Sequence, residues 1–112
     1  VQAHVAGGEP DANRAHLLEL VDEAAEGADV VVLPEALPLG WTDPSAARAA
    51  EPIPGGATCT AFREAARRHG VFLCAGIVER DGERVYNAAV LLGPDGELLL
   101  HHRKINELDL GR

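Results

Sequence analysis

Lysine is nearly absent from this 112-residue chain: Lys104 is the only one, beside nine arginines. Basic residues of both kinds number 10 against 18 acids, for a net charge of −8. That balance argues against nucleic acid or an anionic membrane as the main partner, because both select a basic face. No apolar run approaches the roughly 20 residues that span a bilayer. No basic stretch followed by an apolar segment opens the chain, so no secretory signal is visible. A soluble cytoplasmic protein is the expectation. Only two cysteines occur, Cys59 and Cys74, without CxxC or Cys/His spacing. Neither a zinc site nor a disulfide framework is indicated, and no cofactor is expected. There is no internal repeat and no low-complexity segment.

What is present is a globular composition, 46% apolar, in a length that suits one domain or part of one. Residues 1–5 read as the end of a strand. Gly7, Gly8 and Pro10 interrupt the chain. Asp11 or Asn13 can then cap a helix to about Glu26, with Leu17, Val21 and Ala24 or Ala25 on one apolar face. Residues 29–33 (DVVVL) form a short apolar strand. The stretch from Pro34 to Gly56 holds five of the seven prolines and reads as a long loop, with a helical turn near Ser45 to Ala50. Loops of that length are usually functional or disordered. A second helix is predicted from Ala57 to His69, with Phe62, Ala65 and Ala66 inward and Gly70 as its stop. Three strands follow, at 71–78, 84–92 and 97–102. Asp81-Gly82 and Pro94-Asp95-Gly96 mark turns between them, which makes an antiparallel meander.

These strands are apolar on both faces. In 84–92, Val85, Ala89 and Leu91 point one way and Tyr86, Ala88, Val90 and Leu92 the other. Such a sheet must be covered on both sides. Two helices cover one, so a second sheet or a partner chain is needed for the other.

Two residues stand out chemically. Glu35 directly follows an apolar strand, in VVVLPEALPLGW. Strand ends in α/β folds are where sites gather, and a carboxylate partly desolvated by Leu33, Leu37 and Leu39 makes a better base near neutrality. Lys104 ends the last strand, in LLLHHRKINEL. A compact cation suits a single developing oxyanion better than a planar guanidinium does. On chemistry alone the blander readings, a solvated loop glutamate and a basic strand cap, stay ahead of these roles. Cys59, in the first turn of a helix, has weak grounds as a nucleophile and reads as a small packed residue. Cys74 reads as core. His101 and His102 are adjacent on a strand, point to opposite faces and do not easily share a metal. A histidine-based metal site is therefore the weakest alternative. His4, His16 and His69 read as surface or structural, Asn87 as internally hydrogen-bonded, and Trp41 as a pocket wall or a loop anchor.

Three segments in order carry a resemblance. GADVVVLPEALPLGW, EAARRHGVFLCAGIVER and YNAAVLLGPDGELLLHHRKINEL are similar to the nitrilase superfamily of carbon–nitrogen hydrolases, over Gly27 to Leu108. Gln2 and the helix at 11–26 match less specifically. The resemblance implies an α/β (α+β) fold, here the N-terminal half of a four-layer α-β-β-α sandwich with a mixed sheet and two main helices. Residues 1–112 would be a partial hydrolase domain. It implies a Glu-Lys-Cys mechanism acting on a small-molecule amide, nitrile or carbamoyl substrate, and a homo-oligomer for the complete protein. Glu35 would be the general base and Lys104 would stabilise the tetrahedral intermediate. The two lie 69 positions apart, and two edge strands ending at one rim of a sheet would bring them together. The family's cysteine follows its lysine at some distance, whereas this chain runs only eight residues past Lys104. Cys59 and Cys74 precede Lys104 and do not match it, so the nucleophile is expected outside this chain and the chain alone is expected to be inactive. The beginning of the first strand is expected to be missing as well. Glu107 is too near Lys104 to be the second glutamate of many members. The alternative to an enzyme is a non-catalytic module or pseudoenzyme that binds a partner through its apolar sheet face.

Overall fold

A computed structural model describes residues 10–34 and 50–104 of the chain. The elements are α1 (Pro10–Ala24), β1 (Val30–Val32), α2 (Ala57–His69), β2 (Phe72–Asp81), β3 (Arg84–Leu92) and β4 (Leu98–Arg103). The first strand and the turn expected near Ser45 lie outside the described residues.

The helices form where the apolar spacing places them. In α1, Leu17 and Val21 are buried, and Ala25, one turn on, is buried just past the helix end. The helix begins at Pro10, before both expected caps, Asp11 and Asn13. Pro at the first helical position costs nothing, since its missing N–H would have no intrahelical partner there. In α2, Phe62, Ala65 and Ala66 turn inward together with Thr58 and Cys59. Gly70 stops it in the left-handed conformation (φ 62°), its N–H reaching the carbonyls of Ala66 and Arg67. A side chain there would meet the steric cost of that region, which glycine avoids. The N-terminal cap comes from a distance. Gly56 has no side chain to offer, and the Glu51 carboxylate accepts the Thr58 N–H at 3.0 Å and the Thr58 hydroxyl. An acid at a helix N-terminus also meets the positive end of the helix dipole.

The four strands make one sheet in the order β1-β2-β3-β4. β1 runs parallel to β2. β2–β3 and β3–β4 are antiparallel hairpins, so β1, β2 and β4 all run in one direction. The first hairpin turns on Gly82-Glu83, with Gly82 at φ 60°. Asp81 belongs to β2 rather than to the turn. The second hairpin turns through Pro94-Asp95-Gly96, and Arg63 ties it to α2 by donating from Nε to the Gly96 carbonyl at 2.7 Å.

Register sorts the strand residues by face. Val31, Leu73, Ala75, Ile77, Val90 and Leu92 join Leu17, Val21, Phe62 and Ala65 in one core. Each Val, Leu, Ile or Phe side chain among them contributes roughly 1.5–3 kcal/mol when fully buried, and each alanine less. Both helices therefore cover the same face of the sheet, as the two-sided apolar pattern requires. On the opposite face Val30, Val32, Phe72 and Leu100 are exposed, Leu100 by 65%. That face is closed only toward Val78 and Asn87, which are buried. Cys74 sits on it and is half-buried, which corrects the expectation of a core residue. Its partner across β3 is Leu91, and the neighbouring Phe72 is open as well, so nothing in the core claims it. Among the described residues no helix is long and apolar enough to cross a membrane.

Candidate active site

The sheet topology brings the two edge strands to one place. Past β1, the Leu33 N–H donates to the Cys74 carbonyl at 2.8 Å, and the Pro34 carbonyl accepts the Gly76 N–H at 3.2 Å. On the far edge, the Lys104 N–H donates to the Asn87 carbonyl at 3.0 Å. Gly76 faces Ala89, and Ala89 faces His102. The carboxyl ends of β1 and β4 thus reach the same level of the β2–β3 hairpin, three strand spacings (about 14 Å) apart. Between them lies a hollow of about 290 Å³, bordered by Leu33, Cys74, Gly76, Asn87, Ala89, His102 and Lys104. The hollow is open because Gly76 and Ala89 on its floor have almost no side chain to fill it.

Lys104 lies at this hollow, exposed and on the face away from the helices. Glu35 lies outside the described residues, as does Trp41. Its preceding residue, Pro34, is the one held beside Gly76. The described chain resumes at Ala50 and pairs with the same edge of β2. The Glu51 N–H donates to the Val78 carbonyl at 3.2 Å, and the Glu51 carbonyl accepts the Arg80 N–H at 2.8 Å. Departure and return are two residues apart on β2, about 7 Å. Pro34 and Glu51 are therefore both held along the same edge of β2, Glu51 also by its contacts with Thr58.

The histidine pair divides as expected. His102 borders the hollow, whereas His101 turns to the helix side. Among the described residues no group of three or more His, Cys, Asp or Glu is placed to hold a metal ion. Cys59 is buried, and burial pushes its thiol up, with Glu51 and Glu79 adding to the effect against Arg63. A thiol held protonated in the core is a poor nucleophile.

One constellation was not singled out by sequence reasoning. Glu79 is buried on the helix side of β2. Its Oε1 accepts from Arg103 Nε at 3.0 Å and from His101 Nε2 at 2.8 Å, and its Oε2 accepts from Arg103 Nη2 at 2.9 Å. Arg103 Nη2 also donates to Asp81 at 2.9 Å, and the guanidinium stacks 4.3 Å from the centre of the Tyr86 ring. The cluster ties β2 to β4 across β3. Its signal was available: Glu79 continues the inward series Leu73, Ala75, Ile77, and a carboxylate at a buried position needs partners.

Burial pushes the Glu79 carboxyl up, but the hydrogen bonds from Arg103 and His101 outweigh it and hold the group below its ordinary 4.5. The unfolded chain then binds more protons just under that value. The cluster's contribution to stability is whole above 4.5 and is lost as pH falls through the lower, folded value. Asp22, held low by hydrogen bonds from His69 and Arg68, adds to the same acid limb. Denaturant midpoints are expected to drop once pH falls below about 4.5, and Glu79→Gln is expected to flatten that drop. An unchanged slope in the variant would contradict the assignment.

The family model for carbon–nitrogen hydrolases matches residues 1–109. The chain belongs to the carbon–nitrogen hydrolase family. It is 42% identical over 112 residues to an omega-amidase of Danio rerio, covering 98% of this chain and 40% of that protein. It is 40% identical over 102 residues to a nitrilase of Pyrococcus abyssi, covering 88% and 38% respectively. A solved structure of a superfamily member from Xanthomonas campestris, which carries an arsenic adduct in its active site, superposes with a TM-score of 0.87 at 28% identity. That match covers 99% of this chain and 41% of the other. The chain thus spans about two-fifths of the length of the curated relatives it matches.

Proposed function

We propose that residues 1–112 are the N-terminal part of a hydrolase of non-peptide carbon–nitrogen bonds, acting on a small amide, nitrile or N-carbamoyl compound by a Glu-Lys-Cys mechanism. The observation that carries this reading is the convergence of the two edge strands on one hollow. β4 delivers Lys104 there, and β1 leads to Pro34, held beside Gly76, the residue before Glu35 in the sequence. The names of the omega-amidase and nitrilase relatives support the substrate class.

In this reading Glu35 takes the proton of a cysteine thiol supplied by the polypeptide beyond residue 112. The thiolate attacks the carbonyl carbon and the C=O electron pair moves onto oxygen. The Lys104 ammonium stabilises that oxyanion, where a fixed charge in a water-poor site acts strongly. Collapse expels the amine, which leaves with the proton Glu35 had taken, and a thioester remains. Water then adds to the thioester, giving its proton to Glu35, and the acid product leaves as the thiol reforms. Opposite the helices, the bare face of Val30, Val32, Phe72 and Leu100 would receive a second sheet, completing an α-β-β-α sandwich. The complete protein is read as a cytoplasmic homo-oligomer that uses no cofactor, nucleic acid or membrane.

The same bare face supports a second reading, a non-catalytic module that binds a partner. The two separate on the full-length polypeptide that contains this chain. Turnover of a panel of small amides, nitriles and N-carbamoyl compounds is expected. A stable complex with another protein and no turnover of any panel member would favour the module.

A further inference from the structure

Among the described residues Glu79 is the one charged side chain that is buried. A buried ion pair is a poor source of stability, since apolar side chains of similar volume often do as well or better in its place. What it supplies is orientation. Arg103 engages Glu79 through two nitrogens, Nε and Nη2, and a fork on a carboxylate tolerates little rotation. Asp81 and the Tyr86 ring hold the guanidinium from its outer side, and His101 holds Glu79 from the same strand. Arg103 is the residue before Lys104, and neighbours on a strand point to opposite faces. Locking the Arg103 side chain on the helix side therefore directs Lys104 toward the hollow. The β4 ladder continues beyond Arg103 through the Lys104 N–H to the Asn87 carbonyl, which the clamp keeps in register.

We propose that Glu79 and Arg103 are positioning residues for Lys104: their clamp across β3 sets the end of β4 so that the Lys104 ammonium meets the developing oxyanion. The inference rests on the role of Lys104 proposed above. It deepens that reading by assigning the aim of the ammonium to a pair, buried Glu79 and half-buried Arg103, that does not itself border the hollow.

The test uses the full-length polypeptide and a substrate it turns over. Arg103→Lys keeps the charge and loses the fork, and Glu79→Gln keeps the shape and loses the charge. Each is expected to lower kcat about 10- to 100-fold with KM within about threefold, as misplacement of a group by about 1 Å does. The double variant is expected to be little worse than the worse single one, because the pair acts as a unit. Asp81→Asn, at the exposed outer edge of the cluster, is expected to fold normally and to lower kcat about two- to fivefold. It carries the test if the buried variants fail to fold. Unchanged kcat in Arg103→Lys, Glu79→Gln or Asp81→Asn, alongside an inactive Lys104→Ala, overturns the clamp's role and leaves the reading of Lys104 intact. An active Lys104→Ala overturns that reading and the proposal with it.

Discussion

Lys104→Ala in the full-length polypeptide is expected to lower kcat for a small amide by about a thousandfold or more. Removing one donor to a developing oxyanion costs about 10²–10³ in kcat, and here the donor carries a full charge. The ammonium is the only lysine this chain can offer, and β4 places it at the hollow with its backbone fixed to Asn87. Lys104→Arg is expected to recover little, because a planar fork does not replace a compact charge beside a floor of Gly76 and Ala89. Glu35→Gln is expected to cost about 10²–10⁴, the usual share of a general base. Steady-state kinetics on one good substrate checks all three. Rates like the wild type in Lys104→Ala or Glu35→Gln would remove those residues from the mechanism.

Residues 1–112 expressed alone are expected to show no turnover. The two thiols present are unsuited to the role. Cys59 is buried, which pushes its thiol up, and Cys74, although it borders the hollow, precedes Lys104 and does not match the position of the family's cysteine. The open face of Val30, Val32, Phe72 and Leu100 also leaves the hollow without the wall that would exclude water. Assay of the purified segment against the amide, nitrile and N-carbamoyl panel is the check. Turnover abolished by Cys59→Ala would move the nucleophile into this chain.

Much of the fold was legible because its signals are local. The run from Ala57 to His69 carries its apolar face and its Gly70 stop within a few residues, and the helix matches at both ends. The hairpins follow from Gly82 and from Pro94-Asp95-Gly96, although β2 and β4 each run past their expected ends, β2 by three residues and β4 by one. The bare face was legible too, since strands apolar on both sides cannot be satisfied by two helices. What local pattern could not supply is pairing at long range. Glu79 meets His101 and Arg103 from 22 and 24 positions away, and Glu51 joins the edge of β2 as an isolated bridge. Neither contact has a periodicity to read. Cys74 was misplaced for a related reason: an apolar strand does not say which of its faces is covered.

The position of Lys104 at a strand end was legible, and so was the topology around it. Lys104 read as a lone cation at a strand end, and the carboxyl ends of the two edge strands do lie at one level of the sheet. Of its neighbours at the hollow, Asn87 read only as a structural amide and His102 only as one of two histidines on opposite strand faces, because nothing in their own segments points to Gly76 across the sheet.

The central claim is that Glu35 and Lys104 serve a cysteine lying beyond Arg112. It is tested most directly by trapping the covalent intermediate. The full-length polypeptide is quenched in acid during turnover of an amide, digested, and the acyl adduct located by peptide mass spectrometry. An adduct on a cysteine C-terminal to residue 112, absent when Glu35 is replaced by Gln, is the predicted result. An adduct on Cys59 or Cys74, or none at all during steady turnover, would contradict it.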